Sequence, residues 1–227
     1  MLLHIPALLS GEVLTQVSAR LKDADWQDGR KTAGPQSGAV KHNMQLAEDS
    51  AEGRALGDLV LAGLDRSALF WSAALPARVY PPLFNKYETG MDFGSHIDNA
   101  IRKIPGSRMR IRTDVSATLF LSPPQSYDGG ALVIEDTYGE KAVKLPAGDM
   151  VIYPATSRHR VLPITRGVRV ASFFWIQSMV KDDAERAMLF ELDQSIQKLT
   201  VEHGANDPGV LRLTGLYHNL VRKWGEP

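Results

Sequence analysis

Apolar positions recur with helical spacing at both ends of the chain and with strand-like alternation in its middle. After Ser10, a good helix cap, Val13, Leu14, Val17 and Leu21 fall three and four apart, and Leu56, Leu59, Val60 and Leu64 repeat the stripe. Residues 1–77 are therefore predicted to form a mainly helical N-terminal layer. Between the stripes, Gly29 to Gly38 (GRKTAGPQSG) has the composition of a loop able to move, followed by polar Lys41-His42-Asn43.

From residue 78 to 178 the pattern becomes short β-rich runs: Arg110 to Leu121, Ala131 to Glu135, Lys141 to Leu145, Asp149 to Tyr153, His159 to Ile164 and Val168 to Ile176. Pro123-Pro124, Asp128-Gly129-Gly130, Tyr138-Gly139, Ala147-Gly148 and Arg166-Gly167 bound them, which are turn signals of antiparallel strands rather than crossover helices. A barrel or jelly roll is expected, and a doubly wound parallel sheet is disfavoured. Beyond residue 179 the helical period returns in Met188, Leu189, Leu192, Ile196 and Leu199, then in Leu213, Leu216, Leu220 and Val221. Asp207-Pro208 is a good N-cap and first-turn pair for the second of these helices, so residues 179–227 are read as a helical hairpin docked on the barrel or on another copy of the chain. The fold class expected is α+β with a mainly β core.

Composition narrows the chemistry. The chain has no cysteine, which removes disulfides, zinc-thiolate sites, iron-sulfur clusters and thiol nucleophiles and fits a reducing compartment. Its 26 basic and 26 acidic residues balance, so no global field draws it to nucleic acid or to an anionic membrane. The opening Met1 to Leu9 is too short for a membrane span and lacks the basic start of a signal peptide, so a cytoplasmic location is expected.

The strongest constellation is His96-Ile97-Asp98 with His159 and Arg169. If His96 to Asp98 is extended, residues two apart share a face and lie roughly 6.6 Å apart, close enough to converge on one ion. A third ligand must come from another strand, and His159 opens an alternating run that would supply it. Two imidazoles and a carboxylate leave coordination positions open, the arrangement of non-haem Fe(II) oxygenases, whereas a structural zinc site would be closed. If Thr165-Arg166-Gly167 is a three-residue hairpin loop, Pro163 pairs with Arg169 and His159 with Phe173. Arg169 then shares the inward face with His159 at a separation of roughly 13 Å. A guanidinium pointing into a barrel needs an anion, and that separation suits a small dicarboxylate whose other end chelates the metal.

These residues resemble a known group. His96-Ile97-Asp98, His159 and Arg169, with Tyr87-Glu-Thr-Gly90 upstream, resemble the Fe(II)/2-oxoglutarate-dependent dioxygenases of the prolyl-4-hydroxylase-like superfamily. More closely, the chain resembles the bacterial PKHD-type hydroxylases, a group associated with iron uptake. The likeness runs through Asn85 to Asp98, Asp114 to Leu121, Tyr127 to Leu132, Leu145 to Asp149 and Gly167 to Ser172 and extends to the helical tail. It implies a double-stranded β-helix in which His96, Asp98 and His159 bind Fe(II), Arg169 binds the distal carboxylate of 2-oxoglutarate and Tyr87 walls that pocket. It also implies O₂ consumption, release of succinate and CO₂, a small-molecule or peptide substrate, and ascorbate as reductant by analogy. Many prolyl-hydroxylase relatives carry Lys where this chain has Arg169, a change that keeps the charge and alters the geometry.

Other signals have local readings. Arg102 to Arg112 is the one basic cluster, either a rim that attracts an anionic substrate or the solvated face of a strand. His42 is a candidate substrate contact beside the Gly-rich loop; His4, His203 and His218 read as surface or capping residues, and Phe173 and Trp175 as core. Two readings from other classes stay open: a non-catalytic iron or 2-oxoglutarate sensor, and a cupin-type metalloenzyme that does not use 2-oxoglutarate.

Overall fold

The alternating runs of the middle region pair into antiparallel sheets whose inward faces enclose a cavity. The computed structural model describes residues 1–32 and 38–226, so half of the Gly29–Gly38 loop, residues 33–37, lies outside the described residues. The larger sheet has eight strands: β1 (Leu3–Ile5), β14 (Met150–Pro154), β10 (Val115–Phe120), β17 (Arg169–Ser178), β6 (Leu83–Tyr87), β4 (Met44–Leu46) and β2 (Trp26–Asp28) in that order, with β5 (Pro76–Val79) also on β17. The smaller has five: β13 (Gly139–Val143), β12 (Leu132–Asp136), β15 (His159–Val161), β7 (Asp92–His96) and β3 (Lys41–His42). Two short ribbons complete the β structure, β11 (Tyr127–Gly129) with β16 (Ile164–Gly167) and β8 (Ile101–Lys103) with β9 (Arg110–Arg112).

Strand β10 explains how the larger sheet serves two environments, because it is buried along its whole length. Val115, Ala117 and Leu119 face the helical layer, packing with Leu56, Val60, Leu64 and Phe70 of α2 (Ala51–Arg66) and α3 (Ala68–Ala74) and with Val17 and Leu21 of α1 (Gly11–Lys22). Ser116, Thr118 and Phe120 face the other way, and Phe120 joins the cluster between the sheets with Tyr87, Leu132, Ile134, Tyr153 and Val161. Full burial of one such Leu or Phe contributes about 1.5–3 kcal/mol, so the helical layer fixes the larger sheet firmly.

The N-terminal region is less purely helical than its apolar stripes suggest, since β1 to β4 lie within it. β1 extends the larger sheet beside β14, β4 pairs with β6, and β3 pairs with β7. Strands of two or three residues carry too few positions to register a period of two. The C-terminal helices follow the sequence closely. α4 (Asp183–His203) is capped by the Asp182 carboxylate, which accepts from the amides of Ala184 and Glu185, and α5 (Pro208–Trp224) by Asp207, which accepts from Gly209 and Val210.

One expected register is wrong. Thr165-Arg166-Gly167 is no hairpin loop: it lies within β16, which pairs with β11, so His159 does not face Phe173. Instead β15 and β17 belong to different sheets. Gly167 makes the corner between them with φ +77°, and a Cβ there would lie 2.2 Å from the Ser126 carbonyl oxygen, so the bend demands glycine. In sequence a Gly-marked corner between sheets looks the same as a hairpin turn.

Candidate metal and cosubstrate site

A bulge in β7 aims the first candidate ligand. Val161 pairs with Phe93 and His159 with His96, so β7 uses one more residue than β15 between the two pairs. In a regular strand Phe93 and His96 would point to opposite faces; the extra residue puts both on one, with their rings stacked at 3.7 Å between centroids. His159, directly opposite His96 on the neighbouring strand, brings its ring centroid within 4.2 Å. Asp98 follows the end of β7 and turns back, its Oδ2 lying 3.8 Å from His159 Nε2. One donor atom from each of the three lies within 4.8 Å of the others, a spacing able to hold one metal ion.

Hydrogen bonds set which atoms face that point. His96 Nδ1 lies 2.8 Å from the Gly94 carbonyl oxygen and His159 Nδ1 3.1 Å from that of Ser157. A carbonyl only accepts, so both Nδ1 atoms carry the proton and both Nε2 lone pairs are left for a metal. Burial, and then the facing His159, lower the pKa of His96, which favours the neutral, ligating form. Ser116 donates to Asp98 Oδ2 at 2.6 Å and fixes the carboxylate. The donor set, two imidazole nitrogens and one carboxylate with no fourth protein ligand among the described residues, fits Fe(II) with open positions.

Arg169 opens β17 opposite Tyr87 of β6 and reaches the same cavity from the larger sheet. It is 1% exposed, yet its Nε and Nη1 have no hydrogen-bond partner. Its Cζ lies 5.3 Å from the Tyr87 ring centre and 5.2 Å from that of Phe120, and no carboxylate pairs with it among the described residues. A buried cation left this way costs several kcal/mol, so the arrangement is one that an anionic ligand completes. Burial raises the Tyr87 hydroxyl above its ordinary value, with Arg169 acting against the shift, and the phenol stays protonated. Tyr153 is pushed up further, by burial and then by Asp98.

The cavity is lined by all five residues singled out from the sequence, His96, Asp98, His159, Arg169 and Tyr87. It also brings in Ser116, Thr118, Tyr153, Asn85 and Lys41, which sequence reasoning passed over. The available signal was the alternation of Ser116 and Thr118 within the otherwise apolar run from Val115 to Leu121. Phe173 and Trp175, read as core, form part of the cavity wall. His42 is exposed and bonds Asp92 at 2.7 Å, while its neighbour Lys41 is the residue that enters the cavity. The described buried side-chain atoms without a partner belong to Asn43, Asn85, Arg102, Tyr127 and Arg169, and four of these five residues line this one space. Buried polar groups are rarely left unpaired, so their clustering marks a ligand site.

Comparison with known proteins agrees with this geometry. The 2OG-Fe(II) oxygenase superfamily matches residues 82–177, and the PKHD-type hydroxylase C-terminal domain matches residues 183–226. A PKHD-type hydroxylase of Burkholderia thailandensis is 58% identical over 226 residues, covering 100% of each chain. Among solved structures, a Pseudomonas putida prolyl-4-hydroxylase superposes with a TM-score of 0.51 at 21% identity, over 78% of this chain and 92% of that one. A Trichoplax adhaerens prolyl hydroxylase, solved with a hypoxia-inducible-factor peptide fragment, gives 0.53 at 15% identity, over 82% and 86%. These likenesses establish the double-stranded β-helix. At full-length identity of this order, the chain belongs to the PKHD-type hydroxylases, 2-oxoglutarate-dependent dioxygenases that use Fe(II), 2-oxoglutarate and O₂.

Proposed function

We propose that this protein hydroxylates a small-molecule or peptide substrate, with His96 Nε2, Asp98 and His159 Nε2 holding Fe(II) and Arg169 holding the distal carboxylate of 2-oxoglutarate. The observation that carries this reading is the buried, unpartnered Arg169 guanidinium facing the same cavity as three convergent metal donors. Iron bound there supplies the redox chemistry by which O₂ and 2-oxoglutarate are converted with release of succinate and CO₂. The chain's own residues position and exclude. Arg169 offers a planar fork that takes a carboxylate bidentately, the Tyr87 ring walls that end, and Ser116 holds Asp98 in place. Leu132, Val161 and Phe93 line the remainder with apolar surface that limits water.

The test is anaerobic loading with Fe(II), titration of 2-oxoglutarate while following the metal-to-ligand charge-transfer band, and then admission of O₂ with assay of succinate. A band followed by slow succinate formation is expected. An iron-loaded protein that 2-oxoglutarate leaves unperturbed transfers the assignment to a cupin-type metalloenzyme; a band without succinate transfers it to a sensor.

The division into a catalytic barrel over 78–178 with helical regions on either side belongs to the same proposal, as does assembly of copies through the C-terminal pair. Met188, Val201, Leu211 and Leu216 on α4 and α5 are exposed apolar positions that support such assembly. Deleting residues from Asp182 onward should lower the oligomeric mass in sedimentation, and an unchanged stoichiometry rejects the idea. Ascorbate as reductant, a cytoplasmic location and a tie to iron uptake rest on the family resemblance. They are tested by ascorbate dependence of the succinate assay, by cell fractionation, and by transcript level under iron starvation. No helix among the described residues is long and apolar enough to cross a membrane.

A further inference from the structure

Beside Arg169 the cavity is lined by a residue of the N-terminal region, Asn43, which the metal and cosubstrate assignments leave unused. The segment that carries it passes from one sheet to the other: β3 pairs with β7 of the smaller sheet, and β4 with β6 of the larger. Asn43 is the one residue between β3 and β4. Met44 lies opposite Lys86, so Asn43, one residue earlier, comes beside Tyr87, and Tyr87 is itself paired with Arg169 on β17. The three side chains form a row across the larger sheet, and all three line the cavity.

This row is buried, polar and unfilled. Asn43 is 5% exposed; neither its Oδ1 nor its Nδ2 has a hydrogen-bond partner, and neither do Nε and Nη1 of Arg169. Gly29 sets the orientation of the amide. Its N–H donates to the Asn43 carbonyl oxygen at 2.9 Å, and a Cβ at residue 29 would lie 1.9 Å from Asn43 Oδ1. Oδ1 therefore occupies the space of the missing side chain, in line for a weak Cα–H···O contact, and Nδ2 is turned away from Gly29. The Tyr87 phenol reflects the same grouping, because burial raises it while Arg169 and then Asn43 act to lower it. Two neighbouring groups differ. Asn85 lies one inward position further along β6, opposite Ala171, and its unpartnered atom is an acceptor, Oδ1. Tyr127, also unpartnered at its hydroxyl, does not line the cavity.

A carboxylate accepts at about four positions. The planar fork of Arg169 fills two of them and leaves two open. We propose that Asn43 Nδ2 and the Tyr87 hydroxyl donate to these, making Asn43 a binding residue for the distal carboxylate of the 2-oxo acid cosubstrate. The inference rests on the assignment of 2-oxoglutarate to the Arg169 end and deepens it. Asn43 lies outside residues 82–177, which match the oxygenase superfamily, so the N-terminal region completes the cosubstrate pocket as well as backing the larger sheet. The row also selects for a diacid, since an uncharged chain end would leave its buried donors unpaired.

The test loads the full chain with Fe(II) under argon and titrates 2-oxoglutarate or 2-oxopentanoate, which has the same carbon chain with a methyl group in place of the distal carboxylate. The charge-transfer band reports binding of either without turnover. Asn43→Ala is expected to bind 2-oxoglutarate about tenfold or more weakly than the wild type, as loss of a hydrogen bond to a charged group gives, and to bind 2-oxopentanoate as the wild type does. Asn43→Asp keeps the size of the side chain and sets a second carboxylate beside Arg169, so it should weaken 2-oxoglutarate further and again spare 2-oxopentanoate. Thermal unfolding and Fe(II) dialysis report whether each variant folds and holds metal, and the Asp variant carries the test if the Ala variant does not fold. Wild-type affinity for 2-oxoglutarate in either folded variant overturns the inference. Loss of both ligands in equal measure, or failure of both variants to fold, makes Asn43 a structural residue and overturns it as well. A wild-type protein that holds iron and gives no band with 2-oxoglutarate removes the cosubstrate assignment itself, whereas a normal wild-type band with unaffected variants removes only the role of Asn43.

Discussion

Replacing His159 with Ala should release Fe(II) and abolish succinate formation. Loss of a partner that merely orients a ligand weakens metal sites by about 10–100-fold, so loss of the ligand itself should exceed about 100-fold. Two features make His159 hard to replace. It is buried between the His96 ring at 4.2 Å and the Tyr153 ring at 5.2 Å, and its proton is committed to the Ser157 carbonyl, so its Nε2 has one direction available. His96 and Asp98 alone would leave a two-donor site in competition with water. Equilibrium dialysis of Fe(II) under argon, with succinate measured on the same samples, checks this. Full iron retention would remove His159 from the triad, and a collapse of thermal stability without metal would mean that the ring's packing, rather than ligation, had been tested. His159→Gln, which keeps a polar group of similar reach, guards against that outcome.

The parts of this protein legible in its sequence are those with long periods or coded caps. The C-terminal helices were readable because α4 and α5 span 21 and 17 residues and open on aspartate caps. The candidate ligand residues stand out through a motif, since residue type and order survive even where geometry does not. Geometry was less accessible. His96 was expected to share a face with Asp98 by simple alternation, whereas its direction comes from the β7 bulge, and a bulge leaves no trace in a pattern of period two. The route from His159 to Arg169 was misread because Gly167 marks a corner between sheets rather than a hairpin. Arg169 nevertheless reaches the cavity, because it faces inward on β17 as expected even though the strand beside it is β6 and not the one carrying His159. Lys41 escaped notice for a further reason: on a strand of two residues, which one faces in is set by the β7 strand beside it, and the inward residue is the lysine rather than the histidine.

Arg169→Met should separate ligand binding from folding, because its two effects are expected to differ in kind. Met keeps much of the side-chain volume and removes a guanidinium that is 1% exposed with two nitrogens unpaired. Each unsatisfied buried donor costs about 1–3 kcal/mol. The stacking on Tyr87 and Phe120 returns about 0.5–2 kcal/mol per ring. The two contributions nearly cancel, so the ligand-free variant should unfold at the same temperature as the wild type or slightly above it, as when buried charges elsewhere are replaced by apolar groups. Binding behaves differently. In the wild-type metal-loaded protein, 2-oxoglutarate at 100 times its dissociation constant should stabilise the fold by about 2.7 kcal/mol. For a chain of this size that raises the unfolding temperature by roughly 5–10 °C. In Arg169→Met this rise should vanish while Fe(II) affinity is unchanged, since the metal donors come from β7, β15 and the turn after β7. Arg169→Lys should fall between the two, keeping the charge and losing the fork. A 2-oxoglutarate shift that survives in Arg169→Met would place the carboxylate elsewhere in the cavity; a variant that unfolds early and still shows the shift would make Arg169 a packing residue.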